Sequence, residues 1–196
     1  MQPVTMTEVL DNPGYERVRG EFRSKVIAEK AQRRVAVGPH LTFLFETRLT
    51  VLYQIQEMLR IEGITNPKAV RHELDTYNEL IPPPGGLSAT LLIEYEDAQA
   101  RERELPRLLG IERHVRLCAG DLPPVAATFD TRQIGEERVS AVQYLVFALP
   151  DLHRRLWQGF GLSGQIRLRV DHPNYAWEAA LSKDTAAALW DDLNRE

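Results

Sequence analysis

The chain has 196 residues, 43% hydrophobic and 27% charged, a balance typical of soluble folded proteins. Its formal net charge of −4 gives none of the basic footprint of a nucleic-acid binder, so no nucleic-acid partner is expected. A single cysteine, Cys118, excludes an intramolecular disulfide, and no apolar run approaches the roughly 18 residues of a spanning helix, so a cytoplasmic setting is expected.

Residues 1–14 read as an N-terminal arm, because Asp11-Asn12-Pro13-Gly14 is turn chemistry. From Tyr15 to Arg33 the apolar residues Tyr15, Val18, Phe22 and Val26 recur at helical spacing. Val35 and Val37 then alternate, Gly38-Pro39-His40 breaks the chain, and Leu41, Phe43 and Phe45 alternate again. That pattern predicts a short hairpin with His40 at its tip.

Thr47 to Glu62 follows as a helix with a broad apolar arc of Val51, Leu52, Ile55, Met58 and Leu59. Arg48 and Glu62 fall within this arc. At about 1.5 Å rise per residue they stand roughly 21 Å apart and cannot pair with each other. Each needs a partner from elsewhere or an escape to solvent at its helix end. A second arc carries Tyr53, Gln56 and Arg60, and a third carries Thr50, Gln54 and Glu57. The spacing therefore predicts a central helix contacted by protein on most sides. Gly63 ends it, and Asn66-Pro67 starts the next, with Asn66 as the cap. Val70, Leu74 and Tyr77 form the buried stripe of this second helix, while His72, Asp75 and Glu79 share another face.

Ile81-Pro82-Pro83-Pro84-Gly85-Gly86 is a long loop or hinge. Ala89, Leu91, Ile93 and Tyr95 mark a strand. Glu96 to Leu109 is a charged helical stretch that Pro106 kinks or splits. Val115 and Leu117 point inward from the next strand, and Val125, Ala127 and Phe129 from another. Val139 to Leu149 is apolar on both faces, as a strand central to a sheet would be. Asp151 to Trp157 reads as a short helix, Gly159 to Gly164 as a connection, and Gln165 to Val170 as a strand. Trp177, Ala179 and Leu181 suggest a last strand. Ser182 caps a terminal helix with Ala186, Leu189, Trp190 and Leu193 as its stripe.

Several catalytic signatures fail on context. Gly159-Phe160-Gly161-Leu162-Ser163-Gly164 has dinucleotide-loop spacing, but a helix precedes it and a strand follows, the reverse of what phosphate binding needs. His72-Glu73 opens a zinc-protease motif, yet Thr76 stands where the second histidine belongs. What remains is a diffuse set: His40, Glu57, Arg60, Glu62, His72, Asn78, Asp171 and His172. Histidine with carboxylate is the chemistry of a transition-metal or acid–base site, and a network of buried charges uses the same residue types. Tyr53, Gln56 and Arg60 are a second candidate, as the lining of a small-molecule pocket. The sequence assigns no reaction, no organic cofactor and no oligomeric state.

Gly38-Pro39-His40-Leu41, Phe45-Glu46 and the run Tyr53 to Glu62 carry a resemblance, as do Tyr77-Asn78, Leu80-Ile81-Pro82 and Asp171-His172-Pro173-Asn174-Tyr175. Together they resemble the DUF3501 family of uncharacterised bacterial proteins over most of residues 15–181. The resemblance implies no activity and no catalytic residue. It implies a redox or oxidative-stress setting, because members are often encoded beside rubrerythrin-like and iron–sulfur oxidoreductase proteins. The expected fold is a single α+β domain over residues 15–196. It would have one mainly antiparallel sheet of five to eight strands and a helical layer built around residues 47–62. The expected function is that of an accessory or partner-binding component of such a redox system, with a His/carboxylate metal site as the alternative.

Overall fold

Helix α1 (Asn12–Ala31) leads into a hairpin of β1 (Arg34–Val37) and β2 (Leu41–Phe45). The computed structural model describes residues 1–195. After the hairpin come α2 (Arg48–Ile61) and α3 (Pro67–Asn78), then β3 (Gly86–Ile93) and the short α4 (Ala98–Glu104). The second half holds β4 (Val115–Ala119), β5 (Val125–Ala126), β6 (Thr128–Phe129) and β7 (Val142–Ala148). It ends with α5 (Asp151–Leu162), β8 (Ile166–His172), β9 (Tyr175–Ala180) and α6 (Lys183–Leu193).

The α+β class holds, but the strands make two sheets where one is expected. One sheet has the order β1-β2-β3-β7-β6 and the other β5-β4-β8-β9. Every pairing between these strands is antiparallel. The alternating residues Val125, Ala127 and Phe129 read as one strand, yet they serve both sheets. Val125 pairs with Leu117 of β4, whereas Phe129 pairs with Leu145 of β7. The chain crosses between the sheets at Ala127. Side-chain alternation is the same on either side of such a crossing, so the pattern hides it.

The main core lies between the inner faces of the sheets. Phe43, Phe45, Leu91 and Phe147 from one meet Val115, Leu117, Leu168 and Val170 from the other. Helices α5 and α6 contribute Trp157 and Leu189 to the same core. The Trp157 indole N–H donates to the Ala186 carbonyl at 2.8 Å. Helix α5 runs on through Gly159-Phe160-Gly161-Leu162, the stretch expected to be a connection. At Gly161 a Cβ would lie 3.0 Å from that of Ala186, so a small residue lets α5 and α6 approach. Strand β7 is interior, as expected, but its outer face is only half covered, and Val142 is 37% exposed.

A smaller second core joins α2, α3 and the chain start through Val4, Val51, Ile55, Leu59, Val70, Leu74 and Ile81. The N-terminal arm is therefore part of the fold. Asp11 accepts from the Gly14 N–H and caps α1, so the Asn12-Pro13 turn residues also open the helix. Asn66 and Ser182 cap α3 and α6 as their sequence positions predict. The sheet edges meet at Tyr175. Its hydroxyl donates to the Val37 carbonyl at 2.7 Å and accepts from the His40 and Leu41 N–H groups. Gly38 makes this approach possible: it has φ +70°, and a Cβ there would lie 2.6 Å from the Trp177 ring.

Candidate functional site

The residues singled out in the sequence stand on several different elements. His40 sits in the β1–β2 turn, where its ring stacks on Tyr95 with centroids 4.2 Å apart. Its Nδ1 lies 3.2 Å from the Glu94 carbonyl, to which it donates. His172 closes the β8–β9 turn. It donates from Nε2 to the Leu109 carbonyl at 3.0 Å and accepts at Nδ1 from the Asn174 N–H, so both nitrogens are used. Asp171 is exposed and meets His114 Nδ1 at 2.9 Å. His72 and Glu62 are exposed. The Asn78 side chain brackets the Val4 backbone, accepting from its N–H and donating to its carbonyl. Among the described residues no group of three or more His, Cys, Asp and Glu side chains is placed to hold a metal ion.

Glu57 and Arg60 do meet, between α1 and α2. Glu57 accepts from the Tyr15 hydroxyl at 2.7 Å, from Arg19 Nε and Nη2, and from Arg60 Nη2 at 3.2 Å. Those donors, Arg19 foremost, hold the Glu57 carboxyl down to about 2, against the opposing effect of burial. This is a clamp between helices. Tyr53, Gln56 and Arg60 also have partners within the fold, although Arg60 Nε is buried without one among the described residues. Tyr53 meets Phe22 edge-on, and the Gln56 amide brackets the Leu10 backbone. Arg48, on the apolar arc, finds its partner in the arm: it pairs with Glu8 at 2.6 Å.

A concave site without these residues lies over the outer face of the five-stranded sheet. Strand register sets its floor. Leu44 stands across from Thr90, and Thr90 across from Tyr144. Leu92 and Val142 form the neighbouring row. Thr50, Val51 and Gln54 of α2 face this floor across a cavity of about 310 Å³, with Lys30 of α1 at its side. A second cavity of about 210 Å³ reaches toward β6 and includes Asp130 and Arg132. Glu46, Leu80 and Tyr144 line both, so the two cavities adjoin along this face and together make the groove.

Glu46 leaves β2 just before Thr47, the N-cap of α2, where the helix dipole favours negative charge. Its backbone N–H donates to the Ser88 carbonyl at 2.9 Å. Its carboxylate accepts from the Thr90 hydroxyl at 2.6 Å and from the Thr50 hydroxyl. Several other partly or fully buried carboxylates have an arginine: Glu57 has Arg19, Asp192 has Arg33, Glu8 has Arg48 and Asp130 has Arg132. Glu46 forms no ion pair among the described residues. Burial, followed by the nearby Tyr77, Glu46 and Asp130, pushes the Tyr144 phenol up.

Glu46 escapes a reading of the sequence because the site is made by pairing. Thr50, four residues on, is a local signal. Thr90 is brought in only by the β2–β3 register.

The DUF3501 model, described as a protein of unknown function, matches residues 3–193. The chain belongs to the DUF3501 family. A crystal structure of a protein of unknown function from Burkholderia pseudomallei is also similar, with 38% identity and a TM-score of 0.88. That match covers 98% of this chain and 100% of the other. No curated protein matches the chain. No helix among the described residues is long and apolar enough to cross a membrane.

Proposed function

We propose that this DUF3501 protein is an accessory protein whose outer-sheet groove binds a small molecule. One observation carries the reading: two adjoining cavities share a carboxylate that accepts from two neutral hydroxyls and forms no ion pair among the described residues. Convergent polar groups on an apolar floor are the usual makeup of a ligand site. The test is native mass spectrometry of gently purified protein together with a thermal-shift screen. A ligand that binds only the folded state raises Tm by mass action. Retained mass, or a stabilising compound whose effect Tyr144→Ala removes, supports the reading. A chain of bare mass that no compound in a broad screen stabilises refutes it.

A second observation favours a protein partner as well. Leu152, Leu156 and Leu162 of α5 are 53%, 43% and 71% exposed. An accessory role beside an iron–sulfur oxidoreductase or rubrerythrin-like protein, in a cytoplasmic redox or oxidative-stress setting, would use such a face. Burial pushes the Cys118 thiol up, which supports leaving electron chemistry to the partner. Co-purification with such a partner, lost in Leu152→Glu/Leu156→Glu, is the expected outcome. Co-purification that survives this double substitution counts against the face.

A further inference from the structure

We infer that the groove takes an organic monocation, an ammonium or amidinium on a short apolar or aromatic body, with Glu46 as its counter-ion. The inference rests on the ligand-binding reading above and adds the chemical class. The charges along the groove decide it. Glu79 and Asp130 are both occupied by Arg132. Lys30 lies with its Nζ 5.6 Å from the centre of the Tyr53 ring. That leaves the Glu46 carboxylate, held by Thr50 and Thr90 alone. Each carboxylate oxygen has more than one acceptor position, so both hydroxyls leave room for a further donor.

The surroundings suit a cation better than an anion or a neutral polar molecule. An anion would face Glu46, which lines both cavities; of the two cations on the groove, Arg132 is already paired and Lys30 has its Nζ over the Tyr53 ring. Tyr144 flanks Glu46 and offers an aromatic ring, which attracts cations through its quadrupole. The floor of Leu44, Leu92 and Val142, with Val51 opposite, fits the apolar body. A volume of about 310 Å³ is at the low end for ligand pockets, so the body is small. Fixing the carboxylate with two side-chain hydroxyls pre-organises it, which lowers the ordering cost of binding.

The experiment is an amide-resolved NMR titration of the full chain with three probes of one shape: benzylammonium, benzyl alcohol and benzoate. Benzylammonium is expected to shift the signals of Thr50, Thr90 and Tyr144 and to bind about tenfold or more tightly than the other two. Glu46→Gln keeps an acceptor oxygen for one threonine hydroxyl and offers an N–H to the other, and is expected to weaken benzylammonium by about tenfold. Lys30→Gln, which removes a like charge from the same cavity, is expected to strengthen it. If benzyl alcohol or benzoate binds the groove as well as benzylammonium does, the cation class is overturned while the ligand-binding reading stands. The same holds if Glu46→Gln leaves benzylammonium unaffected. If none of the three shifts the groove signals, the cation proposal falls, and the mass-spectrometric and thermal-shift test decides the broader reading separately. The three-probe comparison uses the natural chain, so it remains decisive even if a variant does not fold.

Discussion

Glu57→Gln should make stability depend less steeply on acid. Glu57 is 13% exposed at its side chain and takes donors from Tyr15, Arg19 and Arg60. These lower its carboxyl from 4.5 to about 2. At about 1.4 kcal/mol per pH unit, that fall corresponds to about 3 kcal/mol of stability. The folded value lies below the unfolded one, so this contribution is complete above pH 4.5 and is lost as pH falls toward 2. Urea unfolding of both proteins, from neutral pH down to the point where either ceases to fold, measures it. The variant should be about 2–3 kcal/mol less stable at neutral pH, because the amide keeps the shape and part of the hydrogen bonding. The gap should narrow below pH 4.5. Glu8 titrates in the same acidic window and is present in both proteins, so the difference isolates Glu57. A gap of constant size across the acid range would mean that packing, and not charge, sets the effect. No gap at neutral pH would refute the clamp.

Three further outcomes follow from the packing. Arg33 and Asp192 form an ion pair with side chains 3% and 1% exposed, tying the start of β1 to α6. Asp192→Ala should cost about 2–4 kcal/mol, because it leaves the buried Arg33 with Glu29 as its one carboxylate partner, and Arg33→Met/Asp192→Leu should recover much of it. A loss below about 1 kcal/mol in equilibrium unfolding would contradict this. Glu62 is exposed at the C-cap of α2, so Glu62→Ala should change stability by no more than about 0.5 kcal/mol. Gln56→Ala should cost about 1–3 kcal/mol and speed hydrogen exchange at the Leu10 amide, which Gln56 holds at 2.7 Å. Unchanged exchange there would show that the arm is fastened by Asn78 and Arg48 alone.

What was legible in the sequence is what local chemistry decides. The caps at Asn66 and Ser182 and the turn at Gly38-Pro39-His40 depend on neighbouring residues, and each lies where the sequence puts it. The many-sided burial of α2 was legible from its three arcs, because helical period alone fixes them. The two-sheet arrangement was not. Val125 to Phe129 alternates as one strand would, and only pairing with β4 on one side and β7 on the other divides it. Gly159 to Leu162 suggested a connection because glycine is a poor helix former. Contact with α6 outweighs that preference at Gly161. Several of the unusual polar residues have nonlocal partners, which local pattern does not reveal. Glu57, Gln56 and Asn78 fasten α1 and the arm. Glu46 looked ordinary because one of its two hydroxyl partners, Thr90, is distant in the chain and arrives only through the β2–β3 register.

The most direct test of the groove is a crystal structure of the protein grown with benzylammonium. The account predicts density over Leu44, Leu92 and Tyr144, with the nitrogen about 2.7–3.1 Å from a Glu46 carboxylate oxygen. Density for the amine elsewhere on the surface, with Glu46 unchanged and the groove holding only water, would contradict it.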